Sequence, residues 1–177
     1  MVVYAKAMSN GFPFAAIIGC EEVMNAADAS FISSSYWTDG VGTAAALAVL
    51  KKMEDLQVQQ AVWEKGIKLQ AALKELAARY PSCAMEIGGM PSTPTLTFQL
   101  AENTPAAKTL YIRKMLEKGF LVSSIFYLMH AHEEKHIALL LEVLDTVLAG
   151  MEKAIKDGTL RQEAGSRTAG AGFTRLA

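Results

Sequence analysis

The first nineteen residues constrain the fold more than any other part of the chain. A β-branched and aromatic run, Val2-Val3-Tyr4, precedes Lys6, and the following Ser9-Asn10-Gly11 has the composition of a turn. A second apolar run then extends from Phe12 to Ile18. This order predicts a strand, a lysine, a turn and a second strand.

Lys6 is placed by this pattern at the end of the first strand, between apolar neighbours. Such surroundings disfavour the charged ammonium group, so the neutral and nucleophilic amine gains weight. A lysine of this kind can form a Schiff base with a carbonyl compound. Because most lysines are solvated surface charges, that alternative reading of Lys6 stays open.

The motif Lys6-Ala7-Met8-Ser9-Asn10-Gly11-Phe12-Pro13 resembles the cofactor-lysine segment of class III pyridoxal-phosphate-dependent aminotransferases. Within that family it is most similar to the glutamate-1-semialdehyde 2,1-aminomutase branch. The resemblance implies an α/β fold-type-I PLP transferase fold, of which this chain is the C-terminal part, starting just before the cofactor lysine. Further matching segments are Ala15 to Gly19, Glu21 to Met24, Phe31 to Thr38, Ala44 to Ala48 and Ala131 to Glu134.

The resemblance also implies a domain organisation and an activity. Residues 1–45 are expected to end the large PLP-binding domain, 46–80 to form connecting helices, and 81–177 to form a small C-terminal α+β domain. The implied reaction transfers an amino group of a small amino compound through a lysine Schiff base, as an aminotransferase or an aminomutase. Pyridoxal 5'-phosphate is the implied cofactor, with Lys6 as both nucleophile and general base.

A second cofactor contact is implied for Ser35. Aligning backward from Ala44 places Ser35 where the family has a threonine that reaches the cofactor phosphate of the neighbouring subunit. Serine keeps the required hydroxyl, and a contact across subunits implies a homodimer. A serine-rich surface loop is the alternative, and the family's usual Gly-Asn-Pro is replaced here by Thr38-Asp39-Gly40.

Two features expected of a complete enzyme are missing from the sequence. Many family members bind a substrate carboxylate with an arginine near the last strand, and residues 120–130 contain no arginine. Family members are also more than twice as long, and their phosphate loop, ring-stacking aromatic residue and ring-nitrogen aspartate have no counterpart here. We therefore expect the isolated chain to be inactive. The alternative is a catalytically silent domain that dimerises or completes a separate N-terminal chain.

The segment His132-Glu133-Glu134-Lys135-His136 matches the H-E-x-x-H motif letter for letter. On a helix this spacing places two imidazoles on one face, where they could hold zinc while Glu133 serves as base. A catalytic zinc needs a third protein ligand, and no histidine follows His136. We expect no metal site, and a zinc metallopeptidase stays only as a more distant alternative.

Composition excludes several classes of partner. The formal net charge is -1, which gives no basic surface for nucleic acid. No apolar run approaches the roughly 18 residues that a membrane helix requires. We expect a cytoplasmic protein without nucleic-acid or membrane partners.

Beyond Thr43 the pattern of apolar residues predicts an α+β arrangement. The expected elements are a long helix broken near Asp55 to Gln57 and ended by Pro81, strands within residues 84–100, a helix capped by Thr104 and ended by Gly119, a strand from Phe120 to Tyr127, and a helix from about Glu133 to Lys156 ended by Gly158.

Overall fold

The computed structural model describes residues 1–35 and 37–168, and the chain divides into two compact units, Met1–Gln59 and Gln60–Ala177. No helix in the described ranges is both long enough and apolar enough to span a bilayer. The assignment of residues 1–45, 46–80 and 81–177 to parts of a larger enzyme stays a prediction.

The first unit is built on a two-stranded antiparallel hairpin. Strand β1 (Val2–Tyr4) pairs with β2 (Ala16–Ile18), with Val3 opposite Ile17. The predicted order of strand, lysine, turn and strand is therefore confirmed. The second strand is shorter than the apolar run suggested, because Pro13 has no N–H to donate to a ladder and β2 begins only at Ala16.

Two helices follow the hairpin within the first unit. The short α1 (Glu21–Met24) continues into a 3-10 segment (Asn25–Ala29), and the longer α2 covers Gly40–Asp55. Gln57, with φ 47°, separates α2 from α3 (Val58–Arg79), so the predicted break in a long helical stretch is confirmed.

The second unit combines a β-hairpin with helices. Strands β3 (Met85–Met90) and β4 (Thr93–Phe98) pair antiparallel, and the helices are α3, α4 (Thr104–Glu117), α5 (Glu134–Lys156) and α6 (Leu160–Ala164). Alternate residues of β4 are buried, as expected for a strand with one face on a core. The core side chains include Leu69 and Leu73 of α3, Leu96 and Phe98 of β4, Leu110 and Met115 of α4, and Leu144 and Leu148 of α5.

The prediction of a strand over Phe120 to Tyr127 is wrong in extent. This segment runs beside β4, with the N–H of Leu96 donating to Ser124 O at 2.9 Å, but only Ile125 forms a bridge, opposite Thr95. The Ser123 hydroxyl bonds both the N–H and the carbonyl of Ile125 at 3.1 Å. Such local bonds offer the backbone an alternative to a ladder.

Helix ends follow their predicted chemistry with one exception. Gly119 and Gly158 have φ values of 85° and 73° and end α4 and α5, where a left-handed residue is required. Thr104 does not cap α4, because it is the first helical residue and its hydroxyl accepts from the N–H of Leu100 at 2.9 Å. Asn103 holds the N-cap position instead.

Candidate active site

Lys6 opens a 3-10 turn (Lys6–Met8) that is separated from β1 by Ala5. Its backbone has φ 56°, in the left-handed region, which is unfavourable by roughly 1–2 kcal/mol for a residue with a Cβ. The Lys6 carbonyl accepts from the N–H of Ser9 at 3.3 Å and of Asn10 at 3.0 Å. Residues held in such sparsely populated conformations concentrate at functional sites. Among the described residues Asn10, Gln57, Ala84 and Ala101 also have positive φ, so the backbone of Lys6 adds to the motif and does not replace it.

The turn after Lys6 is closed by a buried serine. Ser9 is 1% exposed, and its hydroxyl donates to the carbonyl of Phe12 at 2.5 Å. Asn10 and Gly11 follow with φ values of 48° and 109°, which asparagine and glycine adopt more readily than other residues. The predicted Ser-Asn-Gly turn is thereby confirmed.

Helix α2 lies directly against this turn within the first unit. A Cβ on Gly42 would sit 2.9 Å from the carbonyl oxygen of Pro13 and 3.3 Å from the Cβ of Phe14. The start of α2 is fixed by Asp39, whose carboxylate accepts from the N–H of Val41 at 2.9 Å. Gly42 therefore allows the first turn of α2 to approach the backbone that follows the lysine.

The Lys6 side chain is exposed, in contrast to the apolar walls expected for it. A shallow depression beside it is lined by Ala7, Asn10, Gly11, Phe12 and Pro13. Among these neighbours only Asn10 has a polar side chain, and none has a positively charged one. Taken by itself, the first unit thus offers an amine on an open surface, and any water exclusion around it has to come from other groups.

Ser35 lies in the exposed loop between the 3-10 segment (Asn25–Ala29) and α2. The described part of the chain shows no hydrogen bond between Ser35 and Lys6. A role toward a neighbouring subunit requires none within one chain, so cofactor binding by Ser35 stays a prediction.

The two histidines of the H-E-x-x-H segment do not form a zinc site on one helical face, because the helix begins after the first of them. α5 begins at Glu134, so His132 precedes the helix and does not share a helical face with His136. The Nδ1 atom of His132 accepts from the N–H of Met129, and that of His136 accepts from the N–H of Glu133, at 3.2 and 3.1 Å. Glu133 accepts in return from the backbone N–H of His136, which makes the motif a capping box.

No metal site replaces it in the part of the chain that the structure describes. Residues 1–35 and 37–168 hold no group of three or more histidine, cysteine, aspartate or glutamate side chains able to bind a metal ion. Because both Nδ1 atoms already accept backbone N–H groups, the two imidazoles are occupied in starting α5.

The second unit contains a cavity that no sequence motif indicated. Its volume is about 530 Å³, and its walls include Leu69, Phe126, Leu140, His132 and His136. Desolvation, followed by the charges of His136 and Lys65, lowers the pKa of His132 below its usual value of 6.5. The two histidines belong to the segment considered for zinc, and the remaining walls are mostly apolar residues that carry no motif, so the sequence did not predict this cavity.

Comparison with known proteins places these features in a family. The family model described as "Aminotransferase class-III" matches residues 1–148. A 3-aminobutyryl-CoA aminotransferase from Cloacimonas acidaminovorans is 26% identical over 157 residues, covering 86% of this chain and 38% of that protein. A 5-aminovalerate aminotransferase from Pseudomonas putida is 28% identical over 127 residues, and this match covers 70% of this chain and 30% of the Pseudomonas protein.

Solved structures give the same fold. The PLP internal aldimine form of the FumI protein from Sphingopyxis sp. MTA144 matches with a TM-score of 0.75 and 21% identity, over 87% of this chain and 37% of that one. The predicted fold class, part of a fold-type-I PLP transferase, is confirmed. The chain spans only 30–38% of the length of these proteins.

Proposed function

Because the chain belongs to the class-III aminotransferase family, we propose that it carries the lysine-bearing part of an enzyme that transfers amino groups with pyridoxal 5'-phosphate. Lys6 is the cofactor-binding and catalytic residue. The observation that supports this most is the left-handed Lys6 at the end of β1, inside the segment that matches the family model.

The residues around Lys6 fit one end of the cofactor. An exposed primary amine suits its carbonyl group, whereas a phosphate dianion needs cationic or N–H donors. The depression beside Lys6 provides no second cation. On this chain Lys6 would hold the carbonyl carbon and Ser35 the phosphate bound to a neighbouring subunit, and the remaining contacts belong to residues beyond these 177.

The reaction assigns two tasks to the Lys6 amine. When bound, pyridoxal phosphate supplies an electron sink for charge that develops on the substrate carbon. Lys6 Nζ would hold the cofactor through its carbonyl carbon. The same Nζ would accept the proton from the amine-bearing carbon of the substrate and deliver it again, so one group would both hold the cofactor and serve as general base.

The substrate is a small amino compound, and we favour transfer between two molecules over rearrangement within one. The relatives named above are aminotransferases that act on 3-aminobutyryl-CoA and 5-aminovalerate. The aminomutase alternative rests on the sequence resemblance alone. A homodimer, as a contact by Ser35 requires, and a cytoplasmic location complete the proposal.

A non-catalytic alternative is supported by exposed apolar side chains in each unit. Phe31 is 96% exposed in the first unit, and Leu121 is 90% exposed in the second. Such residues would suit a domain that completes a separate N-terminal chain. The two proposals differ in whether Lys6 itself binds the cofactor.

Equilibrium binding of pyridoxal phosphate tests the role of Lys6. We expect the chain to bind the cofactor weakly, because the phosphate donors are missing, and Lys6→Arg to abolish that binding, because a guanidinium does not form the covalent bond. Lys52→Arg, on the exposed surface of α2, is the matched control and should bind like the wild type. Equal binding by all three proteins would exclude Lys6 as the cofactor residue.

A further inference from the structure

Ser9 stands out in the first unit as a buried polar side chain in a turn of exposed residues. It is 1% exposed, while Lys6, Asn10 and Gly11 around it are exposed. Burying a hydroxyl is unfavourable unless it is hydrogen-bonded, and Ser9 meets that requirement through one short bond to the Phe12 carbonyl, at 2.5 Å.

The bond of Ser9 lies in the same small network that holds the lysine. Ser9 and Phe12 are joined twice, since the N–H of Phe12 also approaches the Ser9 carbonyl at 3.5 Å. The N–H groups of Ser9 and Asn10 are the two donors to the Lys6 carbonyl. Ser9 is thus bonded both to Phe12 and to the Lys6 carbonyl, and it links the closure of the turn to the backbone of the lysine.

The left-handed conformation of Lys6 needs such a restraint. The left-handed conformation destabilises a residue that has a Cβ. One buried hydrogen bond stabilises the folded chain by a free energy of the same order, so it can offset that cost. Loss of the hydroxyl would leave the Phe12 carbonyl without this partner and leave the conformation of Lys6 without its support.

We propose that Ser9 is a positioning residue for Lys6: its hydroxyl, bonded to the Phe12 carbonyl, closes the turn that holds the lysine at φ 56°. This inference rests on the proposed function of Lys6, and it assigns to Ser9 an effect on lysine reactivity that differs from a general contribution to stability.

The test combines amide hydrogen exchange with reductive labelling of the whole chain by pyridoxal phosphate and borohydride. In Ser9→Ala we expect the backbone amides at positions 9 and 10 to exchange at least about tenfold faster, because a hydrogen bond of ordinary strength is lost. The ratio of label on Lys6 to label on Lys52 should fall toward that of two ordinary exposed lysines. Ser9→Thr keeps the hydroxyl and should restore both readouts.

Matched variants separate positioning from stability. Ser30→Ala removes an exposed serine hydroxyl that donates to Ala26 at 3.1 Å in the same unit, and should change neither readout. If Ser9→Ala does not fold, Gly42→Ala loosens the turn from the side of α2, because its new Cβ meets the Pro13 carbonyl. It should lower the Lys6 to Lys52 ratio while the hydroxyl of Ser9 remains.

Each outcome decides the question. An unchanged labelling ratio in a variant whose turn amides exchange faster would overturn the proposal, and so would loss of protection that extends equally to Ala46 inside α2. A wild-type chain with protected turn amides but no preference for Lys6 would instead contradict the proposed function of Lys6.

Discussion

Tyr111 is the largest fully buried side chain in the described part of the molecule. Its ring meets Phe98 edge to face, with centroids 5.6 Å apart, while its hydroxyl has no hydrogen-bond partner among the described residues. Desolvation raises the pKa of this hydroxyl far above its usual value. The hydroxyl is therefore a destabilising feature of an otherwise apolar core.

Replacing Tyr111 by phenylalanine removes that unpaired group and keeps the ring. We expect Tyr111→Phe to raise the free energy of unfolding by about 1 kcal/mol, measured by urea denaturation. The control is Tyr80→Phe, since the Tyr80 hydroxyl donates to Asp145 at 2.6 Å, and its loss should lower stability by about 0.5–1.5 kcal/mol. A similar loss in both variants would show that Tyr111 has a partner.

A glycine within α3 allows the β3–β4 hairpin to pack closely against this helix. A Cβ on Gly66 of α3 would lie 1.6 Å from the carbonyl oxygen of Pro91, in the turn between β3 and β4. Gln70, one turn later, donates to the carbonyls of Gly88 and Gly89 at 3.1 and 3.0 Å. The β3–β4 hairpin is thus held against the backbone of α3, which only glycine permits.

Gly66→Ala should therefore be severely destabilising, by more than about 3 kcal/mol, because backbone on both sides would have to separate. Gly150→Ala is the matched control in α5, where a Cβ meets nothing within 4 Å. That substitution should raise stability by about 0.5–1 kcal/mol through helix propensity. Thermal or urea denaturation compares the two, and a mild effect at position 66 would contradict the close approach.

His132, which lies just before α5, makes the stability of the folded chain depend on pH. The pKa of His132 is lowered in the folded chain, so the folded state binds a proton less readily than the unfolded state. Stability from this group is present above the unfolded value of 6.5 and decreases as pH falls below it. Protonation also removes the Nδ1 acceptor for the N–H of Met129.

His132→Asn should weaken that dependence, because an amide oxygen can accept the Met129 N–H and does not titrate. The measurement is the free energy of unfolding from pH 7.5 to about 5.5, a range that spans the unfolded value of 6.5. The wild type should lose more stability than His132→Asn over this window. Parallel curves for the two proteins would show that His132 does not contribute.

Across the whole molecule, the sequence predicted those features that depend on the residue itself or on its immediate neighbours. The turn at Ser9-Asn10-Gly11 and the helix ends at Gly119 and Gly158 depend on backbone freedom that those residues carry themselves. Prediction failed where a partner distant in sequence decides. The expected strand from Phe120 to Tyr127 forms only one bridge, between Ile125 and Thr95. The start of α5 lies where the sequence predicted it, at Glu133 and Glu134.

The site shows the same division. The neighbours of Lys6 made it the candidate cofactor residue, and that role stays a prediction. They did not predict its left-handed backbone, whose carbonyl accepts from Ser9 and Asn10, or the exposure of the residue. A two-stranded hairpin with apolar side chains exposed on it is marginal by itself, so the first unit is suited to further covering by other parts of a larger protein. That agrees with a chain that spans about a third of its relatives.

Peptide mapping after borohydride reduction shows which lysine binds pyridoxal phosphate. The chain is mixed with pyridoxal phosphate, reduced, digested, and the pyridoxyl group is located by mass spectrometry. We predict that Lys6 carries severalfold more label than Lys51, which is paired with Asp55 at 3.0 Å, and than Lys52 on the same helix. Label spread evenly over the lysines, or concentrated away from Lys6, would exclude Lys6 as the cofactor-binding residue.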